Sequence, residues 1–488
     1  MPDLQNGADI GDDAGKHAVS PFVWSELGLD PRQRLGNHAI ILPDSLVSRG
    51  LTKGNVAVPI VTDASDTRFL FLQGPHGPFF HRLGRMLRAA GAEVWRVGFN
   101  AGDRAFWFGG PGYIPYRGRA EDWPDSFADL LDRHAITDIV LYGDTRPIHA
   151  RAVDIARARG LTVHVFEEGY MRPYWVTYER GGSNGHSRLM EMTIPDMQRA
   201  LEMSDMDVPE PPARWGDMKS HVFYGALYHW FILFRNGDYR NFRRHRELPV
   251  WTETFLYTQR LFLMPLIALD RMLATARIKY GGYPYHLALM QLEHDASFVE
   301  HSPFDRMRDF LEVVIEGFAK GAPRHHHLVF KAHPLENGKS PIRRIIRELA
   351  QRHGVVGRVH YVRGGKLAKL LDHARTAVTV NSTAAQQVLW RAIPLKVFGK
   401  AVYNKPEFVS TQPLPEFFAQ PARPDARAYR DYRRYLLETS QVPGGFYSAQ
   451  GRRQLLRQVV DMMLTEEDPY EALALGKAGP RQQLRVVK

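Results

Sequence analysis

The 488-residue sequence predicts an α/β fold made of two Rossmann-like units, and three observations carry that expectation. The length exceeds the size at which a single hydrophobic core stops growing, so two packed domains are expected. From Arg68 onward the short β-rich runs RFLFLQ, EVWRVGF, DIVLYG and TVHVFE alternate with amphipathic segments of helical period. After an interruption the alternation resumes with PYHLALMQ, HHLVFKAH, RVHYVR, AVTVNS and LKVFG. Strand and helix in alternation favour parallel strands with crossover helices, a doubly wound sheet whose loops at the carboxyl ends of the strands form the ligand crevice.

Taken in order, residues 1–60 show weak periodicity and several turn formers and are expected to form a loosely ordered extension. The first Rossmann-like unit spans 61–187, with helices in HRLGRMLRAAGA, WPDSFADLLDRHA and IHARAVDIARARG. Residues 188–280 break the rhythm. A polar stretch rich in Met, Asp and Pro leads into aromatic segments such as HVFYGALYHWFILF and basic ones such as RNFRRHR, a module of a different kind. The second unit spans 281–405, with helices in FDRMRDFLEVVIEGFAKG, SPIRRIIRELAQRHG, KLAKLLDHA and TAAQQVLWRA. Residues 406–488 add helices at about 424–438 and 447–465 and a frayed basic tail.

Composition removes several function classes. With no cysteine there is no disulfide framework, thiolate metal site or cysteine nucleophile, which fits a reducing compartment. The first twenty residues lack the basic stretch and apolar run of a secretory signal. The strongly apolar LFLMPLIAL at 261–269 has about half the length a membrane-spanning helix requires. A non-integral protein is expected. The net charge of +11 implies an anionic partner, for which nucleic acid, anionic lipid and phosphorylated sugar donors all qualify. Nucleic acid is not expected, because the basic residues are dispersed and no recognition motif accompanies them.

Chemistry concentrates at strand ends. In VFEEGYMRP a strand runs directly into Glu167 and Glu168, followed by Gly169 and Arg172. Adjacent side chains on a strand point to opposite sides, so one of the two carboxylates is expected to enter the crevice. A carboxylate there suits a nucleophile or general acid/base at an anomeric carbon, and Arg172 suits the carboxylate of an acidic sugar. The alternative is that the pair caps or solvates the loop. In LVFKAHPLENG a second strand ends at Lys331, His333 and Pro334, residues suited to a phosphate, the alternative being a satisfied loop histidine. In VTVNSTAAQQVLW a third strand ends at Asn381, Ser382 and Thr383 before a helix, where Ser or Thr is first an N-cap and the helix start is also an anion site. FLQGPHGPFFHRLG puts Gly74, His76 and Gly77 in the first strand-to-helix loop, but it is not GxGxxG and does not indicate a nicotinamide cofactor. The run His325, His326, His327 is assigned no metal, since consecutive strand residues do not converge on one ion.

In this order and at these spacings, QGPHGPFF, NAGDRAFW, FEEGYMRP, FKAHPLENG and VNSTAAQQVLWRAIPLKVFG resemble the KpsS/LipB family of capsule polysaccharide biosynthesis proteins, over roughly residues 66–405. The resemblance implies a GT-B-like fold, two Rossmann-like domains facing a central cleft with a helical insertion and C-terminal helices. It implies a retaining glycosyltransferase that takes Kdo, an acidic sugar, from CMP-Kdo and starts a β-linked Kdo linker on a phosphatidylglycerol-type lipid. Carried over, Glu168 is the catalytic carboxylate, Glu167 its acid/base neighbour and Arg172 the partner of the sugar carboxylate. Lys331, His333, Pro334, Asn381, Ser382 and Thr383 hold the donor phosphate, and Gly74, His76, Gly77, Asn100 and Asp103 line the cleft. A related capsule transferase group has Glu-Asp-Gly where this chain has Glu167, Glu168 and Gly169, so the second carboxylate here is one methylene longer.

The same resemblance implies no cofactor besides the donor and no metal, because cationic and helix-end contacts can stabilise departure of a single phosphate. The implied partners are the CMP-sugar, an anionic lipid acceptor at the inner membrane surface and other capsule biosynthesis or export proteins, and the implied location is cytoplasmic and membrane-peripheral. The aromatic and basic stretch over 221–275 then either lies against anionic lipid or packs inward as an interdomain helical pair. Two rivals stand beside the transferase: a non-catalytic capsule assembly or export component that binds a lipid-linked glycan, and a transferase using another sugar nucleotide.

Overall fold

The computed structural model describes residues 64–204, 217–241 and 265–476, apart from 173, 267, 334–335, 337–340 and 364. The N-terminal extension expected over 1–60, the FRRHR run and Pro334 lie outside the described residues.

Strands β1 (Arg68–Phe71), β2 (Glu93–Gly98), β3 (Tyr113–Pro115), β4 (Asp138–Tyr142), β5 (Thr162–Glu168) and β6 (Trp175–Arg180) build the first sheet. A strand from far downstream, β12 (Gln441–Pro443), completes it in the order β12-β6-β5-β4-β1-β2-β3. Strands β1 to β5 run parallel, while β6 and β12 are antiparallel additions. Strands β7 (Tyr285–Leu289), β8 (His327–Lys331), β9 (Val359–Val362), β10 (Ala374–Thr379) and β11 (Leu395–Val397) form the second sheet, wholly parallel, in the order β11-β10-β7-β8-β9. Both parallel sets follow the Rossmann sequence, in which the chain starts in the middle, winds one way and then restarts on the other side. Each sheet therefore has a switch point, between β1 and β4 in the first and between β7 and β10 in the second. The α/β architecture with two Rossmann-like units expected from the alternation is present.

Period-two patterning explains why both faces of the sheets are covered. In β1, Phe69 and Phe71 enter one core while Leu70 and the following Leu72 enter the other. The first core is closed by the helices Phe79–Ala89 and Ala449–Leu464, the second by Trp123–Arg133 and Pro147–Ala158. Burying one such phenylalanine contributes about 2–3 kcal/mol, so Phe71→Ala alone would cost about 3–5 kcal/mol once the cavity is counted. The second sheet is covered on one face by Ile194–Glu202 and Ala426–Glu438 and on the other by Met307–Gly321, Ile342–Arg352 and Leu414–Ala419.

The region over 406–488 thus divides. Helices Leu414–Ala419 and Ala426–Glu438, the latter capped by Asp425 accepting from the Arg427 and Ala428 amides, pack on the second sheet, whereas β12 and the helix after it, capped by Ser448, return to the first.

In helix Asp217–Arg235 part of the aromatic stretch packs inward, on the first unit. One face packs on the first unit through Tyr224, Tyr228 and Ile232, against Phe106. The Tyr228 hydroxyl accepts from Asn100 Nδ2 at 2.8 Å and donates to Asp103 Oδ1 at 3.1 Å, and Asn236 accepts from the Ala101 amide at 2.9 Å. The other face leaves Val222, Phe223, Trp230 and Phe234 exposed, an apolar surface that needs a reason. No helix among the described residues is long and apolar enough to cross a membrane.

Candidate active site

The carboxylate pair sits where β5 ends beside the switch point of the first sheet. In β5, Val163 and Val165 face one core and Phe166 the other, so strand alternation sends Glu167 and Glu168 to opposite sides. The chain then turns sharply into β6. Gly169 is required there, since a Cβ would collide with the Trp175 carbonyl.

Glu168 is held by two tyrosines. Its Oε1 accepts from the Tyr142 hydroxyl at 3.2 Å and from the Tyr447 hydroxyl at 3.2 Å. Tyr142 ends β4, and Tyr447 arrives on the segment that follows β12, with its ring stacked on His221 at 4.1 Å. Glu167 turns back, its Oε1 accepting the Glu168 amide at 3.0 Å. Burial pushes the Glu167 carboxyl up to about 7, with the Glu168 charge adding to the rise and the amide contact, Arg172 and Arg146 opposing it. One carboxylate is fixed by hydroxyls, and its neighbour titrates near neutrality. Sequence reasoning singled out the pair but missed both tyrosines. A Tyr at the end of the DIVLYG strand was a visible signal for Tyr142, while nothing local marks Tyr447.

Arg172, on the loop after Gly169, links the two sheets. Its electrostatic neighbours are Glu168, Tyr142, Glu167 and, from the second unit, Asp295. Those of His333 include Asp295, Arg172, Lys331 and His294. The ends of β5 and β8 therefore come within electrostatic reach of one another, and Asp295, the N-cap of helix Ala296–His301, acts on both Arg172 and His333. Burial lowers the His333 imidazole below its ordinary value, Asp295 opposing and Arg172 and Lys331 adding to the effect, so at neutral pH it offers a neutral N–H. Burial likewise lowers Lys331 to about 8. Among the described residues its Nζ makes one long contact, 3.4 Å to the Ala332 carbonyl.

The third strand-end group has another occupation. Asn381 accepts from Gln291 Nε2 at 2.6 Å and donates to the Ser297 carbonyl at 2.8 Å, so its amide clamps the β7 and β10 ends to helix Ala296–His301. Ser382 caps the short turn Thr383–Ala385 by accepting the Ala384 amide at 3.3 Å, and its carbonyl accepts from Tyr403 at 2.7 Å. Thr383 opens that turn.

The residues carried over as cleft lining are drawn elsewhere. Asn100 and Asp103 are fully buried in the network that docks helix Asp217–Arg235, where Asp103 also meets Arg96 at 3.5 Å and the Phe99 amide at 3.0 Å. They hold that helix and do not line an open cleft. His76 stacks on Tyr228 with ring centroids 4.3 Å apart. Gly77 has φ +118°, a conformation that favours glycine, and Gly74 lies against the Phe80 ring. The histidine run separates as strand geometry demands: His326 meets His286 at 3.0 Å and His327 meets His360 at 2.8 Å.

A family model described as capsule polysaccharide biosynthesis protein matches residues 137–447, from the start of β4 to Tyr447. The chain belongs to this family. This capsule biosynthesis protein is 30% identical over 384 residues to the capsule polysaccharide export protein KpsS of Escherichia coli, covering 78% of the chain and 97% of KpsS. It is 31% identical over 393 residues to the capsule polysaccharide modification protein LipB of Neisseria meningitidis serogroup A, covering 79% of the chain and 92% of LipB. The family expected from the five sequence segments is therefore shown. Among solved structures, Thermosulfurimonas dismutans KpsC, a β-Kdo 2,7 transferase, aligns at 11% identity with a TM-score of 0.37, covering 81% of this capsule biosynthesis protein and 99% of that chain. Anabaena HepE in complex with UDP and glucose aligns at 8% identity with a TM-score of 0.30, covering 84% and 97%.

Proposed function

We propose that this protein is a glycosyltransferase of capsule biosynthesis that moves β-Kdo from CMP-Kdo to a phosphatidylglycerol-type lipid, starting the Kdo linker. The observation that carries the proposal is the opposition of unlike strand ends, Glu167, Glu168 and Arg172 against Lys331 and His333. A CMP-sugar asks for this pairing, with cations and N–H donors where charge grows on the departing phosphate and a carboxylate at the anomeric carbon.

In the first step the Glu168 carboxylate bonds to the anomeric carbon while the bond to phosphate oxygen breaks, and CMP leaves with that electron pair. In the second step the acceptor hydroxyl displaces Glu168 and its proton passes to Glu167. Two inversions retain the β configuration. Arg172 grips the Kdo carboxylate, Lys331 and His333 hold the phosphate, and Asn381 and Ser382 keep the loop in place. The reaction so written needs no metal and no cofactor beyond the donor, and nucleic acid has no part in it. The protein would act on the cytoplasmic side of the inner membrane beside other capsule proteins, with Val222, Phe223, Trp230 and Phe234 turned to the lipid.

The name of the Escherichia coli relative, an export protein, favours a second reading in which the fold binds a lipid-linked glycan without turnover. One assay separates the two. Purified protein is given CMP-Kdo generated in situ and a fluorescent phosphatidylglycerol analogue, with folded Glu168→Gln and His333→Ala variants alongside. Product from the wild type alone is expected. No product over a range of lipid acceptors, with CMP-Kdo intact, would overturn the transferase.

A further inference from the structure

The loop after β4 carries an arginine, Arg146, to which the chemistry above gives no ligand. Arg146 stands directly before Pro147, the first residue of helix Pro147–Ala158, and its backbone is extended at φ −63°, ψ 137°. A residue before proline is kept out of helical geometry, so Arg146 is held at the mouth of the helix rather than wound into it. This loop flanks the switch point between β1 and β4, where a doubly wound sheet binds its ligand.

The guanidinium carbon lies 5.5 Å from the centroid of the Tyr142 ring, whose hydroxyl donates to Glu168. Its electrostatic influence reaches Glu167, Tyr142 and Tyr228. Among the described residues it forms no ion pair, although buried and half-buried arginines elsewhere in the chain do, as Arg96 does with Asp103. A half-buried guanidinium with a planar fork of donors is suited to an anion.

Which anion follows from which side Arg146 occupies. Arg172 faces the second unit through Asp295 and His333, the side where donor phosphate would sit. The neighbours of Arg146 all belong to the first sheet and to helix Asp217–Arg235, whose outer face is the exposed apolar one. We propose that Arg146 binds the phosphodiester of the lipid acceptor. The proposal rests on the acceptor assigned above. In phosphatidylglycerol the phosphate stands one glycerol unit behind the hydroxyl that attacks, and Arg146 stands one tyrosine side chain behind Glu168. A planar fork of donors matches a phosphodiester and fixes the distance between headgroup and anomeric carbon.

The test uses the full chain and water-soluble dihexanoyl phosphatidylglycerol, titrated calorimetrically into wild type, Arg146→Gln and Arg146→Lys, with CMP and inorganic phosphate as separate titrants. The Gln variant is expected to lose about 10- to 100-fold in affinity for the lipid, the loss of a charge-assisted contact, with CMP binding unchanged. The Lys variant, which keeps the charge but not the fork, should recover part of it. In turnover the same variants raise KM for the lipid and leave KM for CMP-Kdo alone. Lipid affinity unchanged in both variants, no lipid binding by the wild type, or inorganic phosphate bound as tightly as the lipid would each overturn the proposal. A loss of CMP affinity instead would assign Arg146 to the donor. If the wild type binds the lipid through Arg146 but transfers nothing from CMP-Kdo, the transferase reading fails while the acceptor site stands.

Discussion

Lys331 and Lys405 are both 6% exposed and both belong to the second unit, yet their ammonium groups live differently. Lys405 Nζ donates to the carbonyls of Met192 at 2.6 Å and Leu189 at 2.7 Å, with Met190 at 3.4 Å. It ties down the end of a short helical turn, and although burial lowers its pKa as well, with Glu407 opposing, the carbonyls offset part of the desolvation of its charge. Among the described residues Lys331 has one long contact, and burial pushes its pKa down to about 8. A buried cation satisfied by carbonyls serves the fold, whereas Lys331 is the one proposed to hold a donor phosphate.

The largest effect would come from the opposite wall of the cleft. Glu168→Gln should lower kcat about a thousandfold or more while CMP still binds, because the carboxylate acts in the chemical step and the lysine side in donor binding. Loss of CMP affinity in that variant would erase the division between the walls.

Next, Lys405→Met should destabilise the protein by about 3 kcal/mol in denaturant melts, by leaving buried carbonyls without donors. Lys331→Met should not destabilise it, but should weaken CMP binding about 10- to 100-fold. Equal destabilisation by both would break the comparison. It sharpens with pH: between about 8 and 10.5 the unfolded chain holds a proton on Lys331 that the folded chain has released, so wild-type stability rises relative to Lys331→Met across that window.

Smaller again is the acid limb of turnover. Glu167 takes a proton in the second step only when ionised, so kcat should rise as pH passes through about 7, and Glu167→Gln should flatten that limb. Smallest, Trp230→Ser combined with Phe234→Ser should reduce sedimentation with phosphatidylglycerol vesicles a few-fold without altering CMP binding, since each exposed aromatic adds little to a surface contact.

The parallel strands other than β3 were legible because each carries an apolar pattern that only a doubly covered sheet accommodates, as in RFLF and HLVFK. β3, β6 and β12 were not, being short or antiparallel and defined by the edges they complete. Within the site, Glu167, Glu168, Lys331 and His333 could be found because a charged residue directly after a buried strand has few places to point. Asn100 and Asp103 look the same in sequence as ligand-binding loop residues, and it is Tyr228, 128 positions from Asn100, that shows them to be a buried dock. Asp295 escaped notice because it acts across the gap between units, and Tyr447 because pairing of β12 with β6 brings it there.

That last pairing also governs how the chain can mature. A ribosome has released most of the polypeptide before Gln441–Pro443 exists to cover β6 and before helix Ala449–Leu464 exists to cover Phe69, Phe71 and Phe166. Until then the first unit has an open strand edge and an uncovered apolar face, the features that make a nascent chain a client of chaperones. The unit translated first is therefore completed only after residue 441, and the hydroxyl of Tyr447 reaches Glu168 only as that closure occurs.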